Sequence, residues 1–289
     1  MVIILLLALV PVGHALFNTI VRTSQRQGSH ALLVGATNYL VACSVNIVLA
    51  LARGPITLSP RTWQLGIAAG LVYALTFRTI AVAMRRRGLA VPSAVMQLSV
   101  IVPLGFSVLL WGERPDVLQT AGIVLALAAL TLLAGDGKQE AGAALTGSSA
   151  PAVPGLAVLS ALFLLQGGAA LAPKAFSELA PAGEMNLFLV FLFGTAALTF
   201  LPEWLGPVRP QRRDLLWGAA LGATNAGCNV LTVYVLQRLP GILVFPVMTA
   251  GALLMTSALG LLAWKEPLSV KGRAGMLIAL GAVVLVSLK

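Results

Sequence analysis

Residues 111–133, WGERPDVLQTAGIVLALAALTLL, and residues 264–286, WKEPLSVKGRAGMLIALGAVVLV, follow one plan. Each has a tryptophan, a glutamate two positions on, a short proline-containing break, and then a run of Ala, Gly, Leu and Val. A shift of 153 positions lays residues 111–132 over 264–285, and nine of the 22 pairs are identical. They include Trp111/Trp264, Glu113/Glu266, Gly122/Gly275, Ala126/Ala279 and Ala129/Ala282. Apolar helices draw on few residue types and match by chance. The shared Trp-x-Glu, with a glycine nine residues after the glutamate, is more specific. A shift of 152 also pairs Gly66 with Gly218 and Gly70 with Gly222. The chain reads as an internal repeat.

Composition says what solvent the repeat lives in. Of 289 residues, 58% are hydrophobic and 10% charged, with 29 glycines besides. Soluble chains carry about 25% charged residues, and a globule this size could not hide so much apolar surface from water. A bilayer can receive it, provided every backbone polar group is satisfied within helices. Ten apolar runs are long enough: 2–21, 31–52, 63–83, 89–111, 117–134, 154–175, 185–204, 214–236, 240–263 and 269–288. Gly54-Pro55, Arg85-Arg86-Arg87-Gly88 and Glu113-Arg114-Pro115-Asp116 punctuate them. Residues 135–153, rich in Gly, Ala and Ser, read as a linker between halves 1–134 and 154–289. No room is left for a soluble catalytic domain.

The net charge of +10 comes from short basic clusters between apolar runs. Loops beside anionic lipid headgroups explain it better than nucleic acid does, since no basic stripe is interleaved with aromatics. Cys43 and Cys228 lie inside apolar runs without metal or disulfide spacing and read as packing residues. The first run lacks a basic start and is interrupted by His14 and Asn18, so it reads as a retained span.

Five spans per half is an odd number, so the second half enters the membrane from the opposite side. Inverted repeats of this kind are common in secondary transporters, with the substrate site near the midplane between halves. The two quoted stretches, closing two five-span halves, resemble the drug/metabolite transporter superfamily, and within it the EamA-type members with a duplicated domain. That resemblance implies an all-α integral membrane protein of ten helices in two inverted five-helix repeats. It further implies a carrier of small metabolites, often an exporter, in a plasma membrane such as the bacterial inner membrane. The first four spans of each half would line a cavity, and the last span of each would be peripheral.

The acidic residues argue against other chemistries. All nine carboxylates lie at span ends or in loops. Membrane transferases need clustered acids for a metal, and proton-driven antiporters commonly use a buried one. No catalytic residue, metal or cofactor is expected, and facilitated diffusion or exchange is the expected mode. Glu113 and Glu266, at helix hand-overs, suit capping better than gating.

The cavity candidates are the polar and aromatic residues inside spans. His14 and Asn18 share a face of the first span. Asn225, Asn229 and Thr232 form a stripe on the eighth at helical spacing, and a shift of 152 puts Tyr73 and Phe77 in the places of the two asparagines. Buried amides also serve simply to bond neighbouring helices, at about 0.6 kcal/mol each. That alternative weighs equally for Asn225 and Asn229 and more heavily for Asn38, Tyr39, Asn46, Gln97 and Gln166. Arg78, well inside the third span, is either a counter-charge for substrate or a side chain snorkelling towards the headgroups. Lys174, one turn before Glu178, reads as interfacial. Pro92 and Pro103 in the fourth span and Pro246 in the ninth predict kinks.

Odd-numbered loops hold 12 Lys/Arg, and the even-numbered loops with the C-terminus hold six. This asymmetry places both termini outside, whereas the family resemblance places them inside; the termini share a side either way. Expected partners are the bilayer and a small-molecule substrate, with no nucleic acid, in a monomer or homodimer. A flippase for an amphipathic or lipid-linked molecule is the alternative within transport. A membrane enzyme and a helical scaffold are the alternatives outside it.

Overall fold

A computed structural model of the chain describes residues 2–87, 90–136, 155–264 and 270–287. Among them all regular structure is helical, in twelve α-helices and one short 3-10 turn. These are α1 (Val2–Arg26), α2 (Ala31–Ala52), α3 (Pro60–Arg87), α4 (Ala90–Leu98), α5 (Ile101–Leu109) and α6 (Val117–Asp136). There follow α7 (Gly155–Leu179), the 3-10 turn Ala182–Glu184, α8 (Met185–Thr199), α9 (Leu201–Leu205), α10 (Arg212–Leu236), α11 (Gly241–Trp264) and α12 (Val270–Ser287). Helix occupies each of the ten expected spans. Six segments are long and apolar enough to cross a bilayer, and three shorter apolar helices accompany them. Residues 135–136 of the expected linker continue α6; the rest of it, 137–153, and Glu266 lie outside the described residues.

Exposed side chains show what surrounds these helices. Leu5, Leu9, Val12 and Leu16 form an exposed stripe along α1, and Val270, Leu277, Leu280 and Val284 another along α12. Apolar stripes at helical spacing that face outward, over this many helices, need lipid and not water. The chain is an all-α, multi-pass integral membrane protein.

The chain forms two compact units. The first comprises the very start of α1 with Gly13–Arg78 and Ala169–Arg238. Its core joins α2, α3, α7, α8 and α10 around Tyr39, Phe176, Phe188, Phe193 and Phe200. Without a hydrophobic force between helices in lipid, close backbone approach through small residues holds such a core. A Cβ on Gly66 would lie 2.9 Å from the Phe188 carbonyl oxygen and 2.5 Å from the Phe191 Cβ. One on Gly70 would run into the Leu192 oxygen and lie 2.7 Å from the Thr195 Cβ. On α10, Gly218 meets the Val34 oxygen and the Thr37 Cβ, and Gly222 meets the Asn38 oxygen and the Val41 Cβ. Thus α3 crosses α8 as α10 crosses α2. The four contacted positions on α2 and α8 differ throughout by 154 residues.

The second unit comprises the described residues within Leu7–Val12, Thr79–Gly168 and Leu239–Lys289. Here α6 packs on α12 through Ala126, Ala129, Ala279 and Ala282, with Ala250 of α11. These four alanines are two of the identical pairs found by the 153 shift. Equivalent helices therefore meet through equivalent residues. Glu113 accepts hydrogen bonds from the backbone N–H groups of Gly241 (2.9 Å) and Ile242 (2.8 Å), capping the start of α11. Its carboxylate satisfies two donors that no helical carbonyl can reach.

The fourth span is broken into α4 and α5 at Ser99–Val100. Pro103 has no N–H for the carbonyl of residue 99, so the helical ladder lapses there. Pro92 is the third described residue of α4. Pro246 lies within an uninterrupted α11.

Gly70→Ala and Gly222→Ala force a methyl against backbone oxygen and should each destabilise the protein by about 1–3 kcal/mol. Gly105, with nothing within 4 Å of a built Cβ, should accept alanine at no loss. Thermal unfolding of the purified variants in detergent compares the three. In the same assay Glu113→Gln should lose about 1 kcal/mol as the charged cap goes.

Candidate functional site

The interior of the first unit carries a polar chain through otherwise apolar helices. It begins on α10, where Asn225, Asn229 and Thr232 recur at helical spacing and are all buried. The Asn229 amide donates to the Asn225 side-chain oxygen (2.8 Å) and to its carbonyl (3.0 Å). The Asn225 amide donates in turn to the side-chain oxygen of Asn38 on α2 (3.1 Å). From α3, the Tyr73 hydroxyl donates to the Asn229 side-chain oxygen (3.0 Å), and the Tyr39 hydroxyl donates to the Tyr73 carbonyl (3.3 Å). Three helices are tied by one relay. In hydrocarbon an unpaired amide costs several kcal/mol, so the relay must be nearly complete to be tolerated. One member is open: the Thr232 hydroxyl oxygen is buried and has no hydrogen-bond partner among the described residues.

An aromatic wall adjoins the relay. Tyr39 packs on Phe77, Phe193 and Phe200 with ring centroids 6.2, 6.4 and 5.5 Å apart, and Tyr73 meets Phe193 edge-on at 6.4 Å. Gly35 admits the Phe77 ring against α2, since a Cβ there would lie 2.7 Å from it. The wall ends at Arg78, whose guanidinium lies 4.8 Å over the Phe200 ring. Arg78 also pairs with Glu203 at 2.9 Å and donates to the Thr199 carbonyl. The positive charge is thereby neutralised within the protein, at the end of α8 and on α9.

The sequence candidates divide. Asn225, Asn229, Thr232, Tyr73 and Phe77 come together in one region of the first unit, with Arg78 at its edge. His14 is half-buried, and its Nε2 has no partner among the described residues, while Asn18 is exposed. Gln97 and Gln166 are half-buried in the second unit. Asn38 and Tyr39, for which the helix-tie reading is the favoured one, are members of the relay and bond neighbouring helices. Lys174, expected at the interface, lies near the end of α7 with its side chain 2% exposed and paired with Glu178. A carboxylate one helical turn away lets the ammonium be covered by protein at that span end. Asn186 was missed. It is buried at the start of α8 with neither side-chain atom partnered among the described residues, and a lone amide beside a span boundary has no sequence signal.

Comparison with known proteins matches residues 1–135 to the EamA-like transporter family. The match ends beside the expected close of the fifth span. The chain is also similar to a solved crystal structure at 23% identity, covering 98% of each chain with a TM-score of 0.73, which shows a shared fold. No curated protein matches it.

Tyr73→Phe and Asn38→Leu each remove one link of the relay and should cost about 1 kcal/mol. Combined, they should cost less than their sum, because both act through the same two asparagines. A double-mutant cycle by thermal unfolding measures the coupling. Strict additivity would mean that the relay does not act as a unit.

Proposed function

We propose that the protein is a secondary transporter of a small polar or amphipathic metabolite, of the amino acid or nucleoside kind. It works by alternating access between two inverted halves, 1–134 and 154–289. The supporting observation is the reciprocal crossing in the first unit, α3 on α8 and α10 on α2, with contacted residues offset by a constant 154. A duplicated half related to its copy by a two-fold makes such exchanged contacts. In an inverted repeat those crossing helices are the ones that surround the substrate.

Substrate binding is assigned to the relay. Asn225 and Asn229 offer amides that both donate and accept, Thr232 has an uncommitted hydroxyl, and Tyr73 and Phe77 offer ring faces. A neutral or zwitterionic solute with hydrogen-bonding groups and an apolar body matches that set. No net charge waits there, since Arg78 is held by Glu203. The other described acids are committed too. Glu113 caps α11, Glu184 accepts from Ser59, and Asp214 accepts from the backbone of His30 and Gln211. With these carboxylates held in structural contacts, facilitated diffusion or exchange is the favoured mode over proton coupling.

Counterflow of labelled amino acids and nucleosides in proteoliposomes tests the reading. Thr232→Val should raise KM by about tenfold, the loss of one hydrogen bond to the solute, with its unfolding temperature little changed, while Asn229→Ala should raise KM and also lower the unfolding temperature, because it strips the Tyr73 hydroxyl of its acceptor. Dissipating the proton gradient should leave counterflow unaltered. Wild-type transport that both variants retain at unchanged KM would remove the relay from the site, and no counterflow of any solute would remove the carrier reading.

A further inference from the structure

A second polar feature of the first unit lies well away in sequence from the relay. The start of α3 and the turn after α7 enclose an open groove of about 540 Å3, lined by residues 59–61 and 178–181. It stands where spans end. The candidate membrane segments stop at Leu179 and resume at Ala182. Trp63, two residues beyond Arg61, is 39% exposed at the same end of α3, and half-exposed tryptophan is the usual mark of the headgroup layer.

The charges around the groove are balanced and separated. Arg61 is exposed on one wall, and its Nη1 donates only a long bond, 3.5 Å, to the Leu179 carbonyl. A guanidinium has five N–H donors, so others remain to meet a guest. Glu178 lies on the other wall with its side chain 36% exposed. The buried Lys174 ammonium engages its Oε1, which fixes the carboxylate in place and leaves Oε2 available. Behind Ser59, Glu184 accepts from the Ser59 N–H (3.0 Å) and hydroxyl (2.8 Å). One cation and one anion, Arg61 and Glu178, therefore line the groove, with Lys174 and Glu184 bonded to its lining residues from behind. Pro60, Leu179 and Pro181 supply an exposed apolar shoulder.

We propose that this groove seats the headgroup of a zwitterionic phospholipid bearing a primary ammonium, its phosphate on Arg61 and its ammonium on Glu178. The balance of charge disfavours an anionic headgroup, which would find Glu178 and Glu184 opposed to it. A quaternary ammonium has no N–H to give the carboxylate and prefers an aromatic cage; the lining residues include no aromatic ring. The shoulder between two span ends favours a lipid over a free solute, because the bilayer holds the headgroup at that depth while acyl chains cover Leu179. The bound lipid ties the α7–α8 turn to the start of α3.

Thermal stabilisation of the full chain in detergent, titrated with phosphatidylethanolamine, its N-methyl and N,N-dimethyl forms, phosphatidylcholine and phosphatidylglycerol, tests the assignment on the unaltered protein. Stabilisation should fall with each methyl added, with half-saturation for phosphatidylcholine about tenfold weaker or more, as befits loss of a charge-assisted hydrogen bond. Arg61→Gln should weaken phosphatidylethanolamine by a similar factor, and Glu178→Gln should abolish the ranking by methylation. Equal action by phosphatidylethanolamine and phosphatidylcholine overturns the proposal, as does stronger action by phosphatidylglycerol. Free phosphoethanolamine acting at the lipid's own concentration overturns the lipid source. If Glu178→Gln fails to fold because Lys174 is left uncompensated, the methylation series and Arg61→Gln still decide.

Discussion

Helices in a bilayer have no water to flee, so what holds them together is contact: backbone against backbone where side chains are small enough to allow it. In this protein that constraint takes its sharpest form at four glycines. Gly66 and Gly70 bring α3 onto the carbonyls of α8, and Gly218 and Gly222 bring α10 onto those of α2. Neither crossing would survive a β-carbon without displacement of main chain. The polar relay depends on the second, because Asn38 presents its carbonyl to Gly222 and its side chain to Asn225 within the same close approach.

The two units solve the packing problem differently. The first uses glycine crossings, a hydrogen-bonded relay and a stack of aromatic rings. The second uses alanine against alanine between α6 and α12, with a charged cap from Glu113 on α11. The first carries the buried hydrogen-bonding chemistry, including the open hydroxyl of Thr232. In the second, Gln97 and Gln166 stand as half-buried single amides. Function follows that division: polar side chains in lipid are kept either because they bond a neighbouring helix or because something else must bond them. The relay satisfies the first condition at nearly every atom and leaves one for the second.

Charge in the described residues follows a similar economy. Arg78 is answered by Glu203 and a ring face, Lys174 by Glu178, and Asp214 by the His30 backbone. Each pairing also joins elements distant in sequence or fixes a helix end. Charges at span ends thus act as fasteners, while the relay itself is built of uncharged side chains.

Much of this was legible in the chain itself. Composition demanded a bilayer, the length of the apolar runs demanded helices, and the matched Trp-x-Glu stretches with their GxxxG partners disclosed the repeat. Spacing alone placed Asn225, Asn229 and Thr232 on one face, since a helix puts i, i+4 and i+7 together whatever surrounds it. Partners lay beyond such reasoning. Asn38 meets Asn225 across 187 residues and Arg78 meets Glu203 across 125, and no local period encodes a meeting between distant helices. Lys174 shows the same limit from another side: that its ammonium is covered by protein depends on the carboxylate of Glu178 and on what packs around it. Local periodicity is a property of the chain. The environment of a charge, an amide or a proline is a property of what packs against it, and only the tertiary structure decides that.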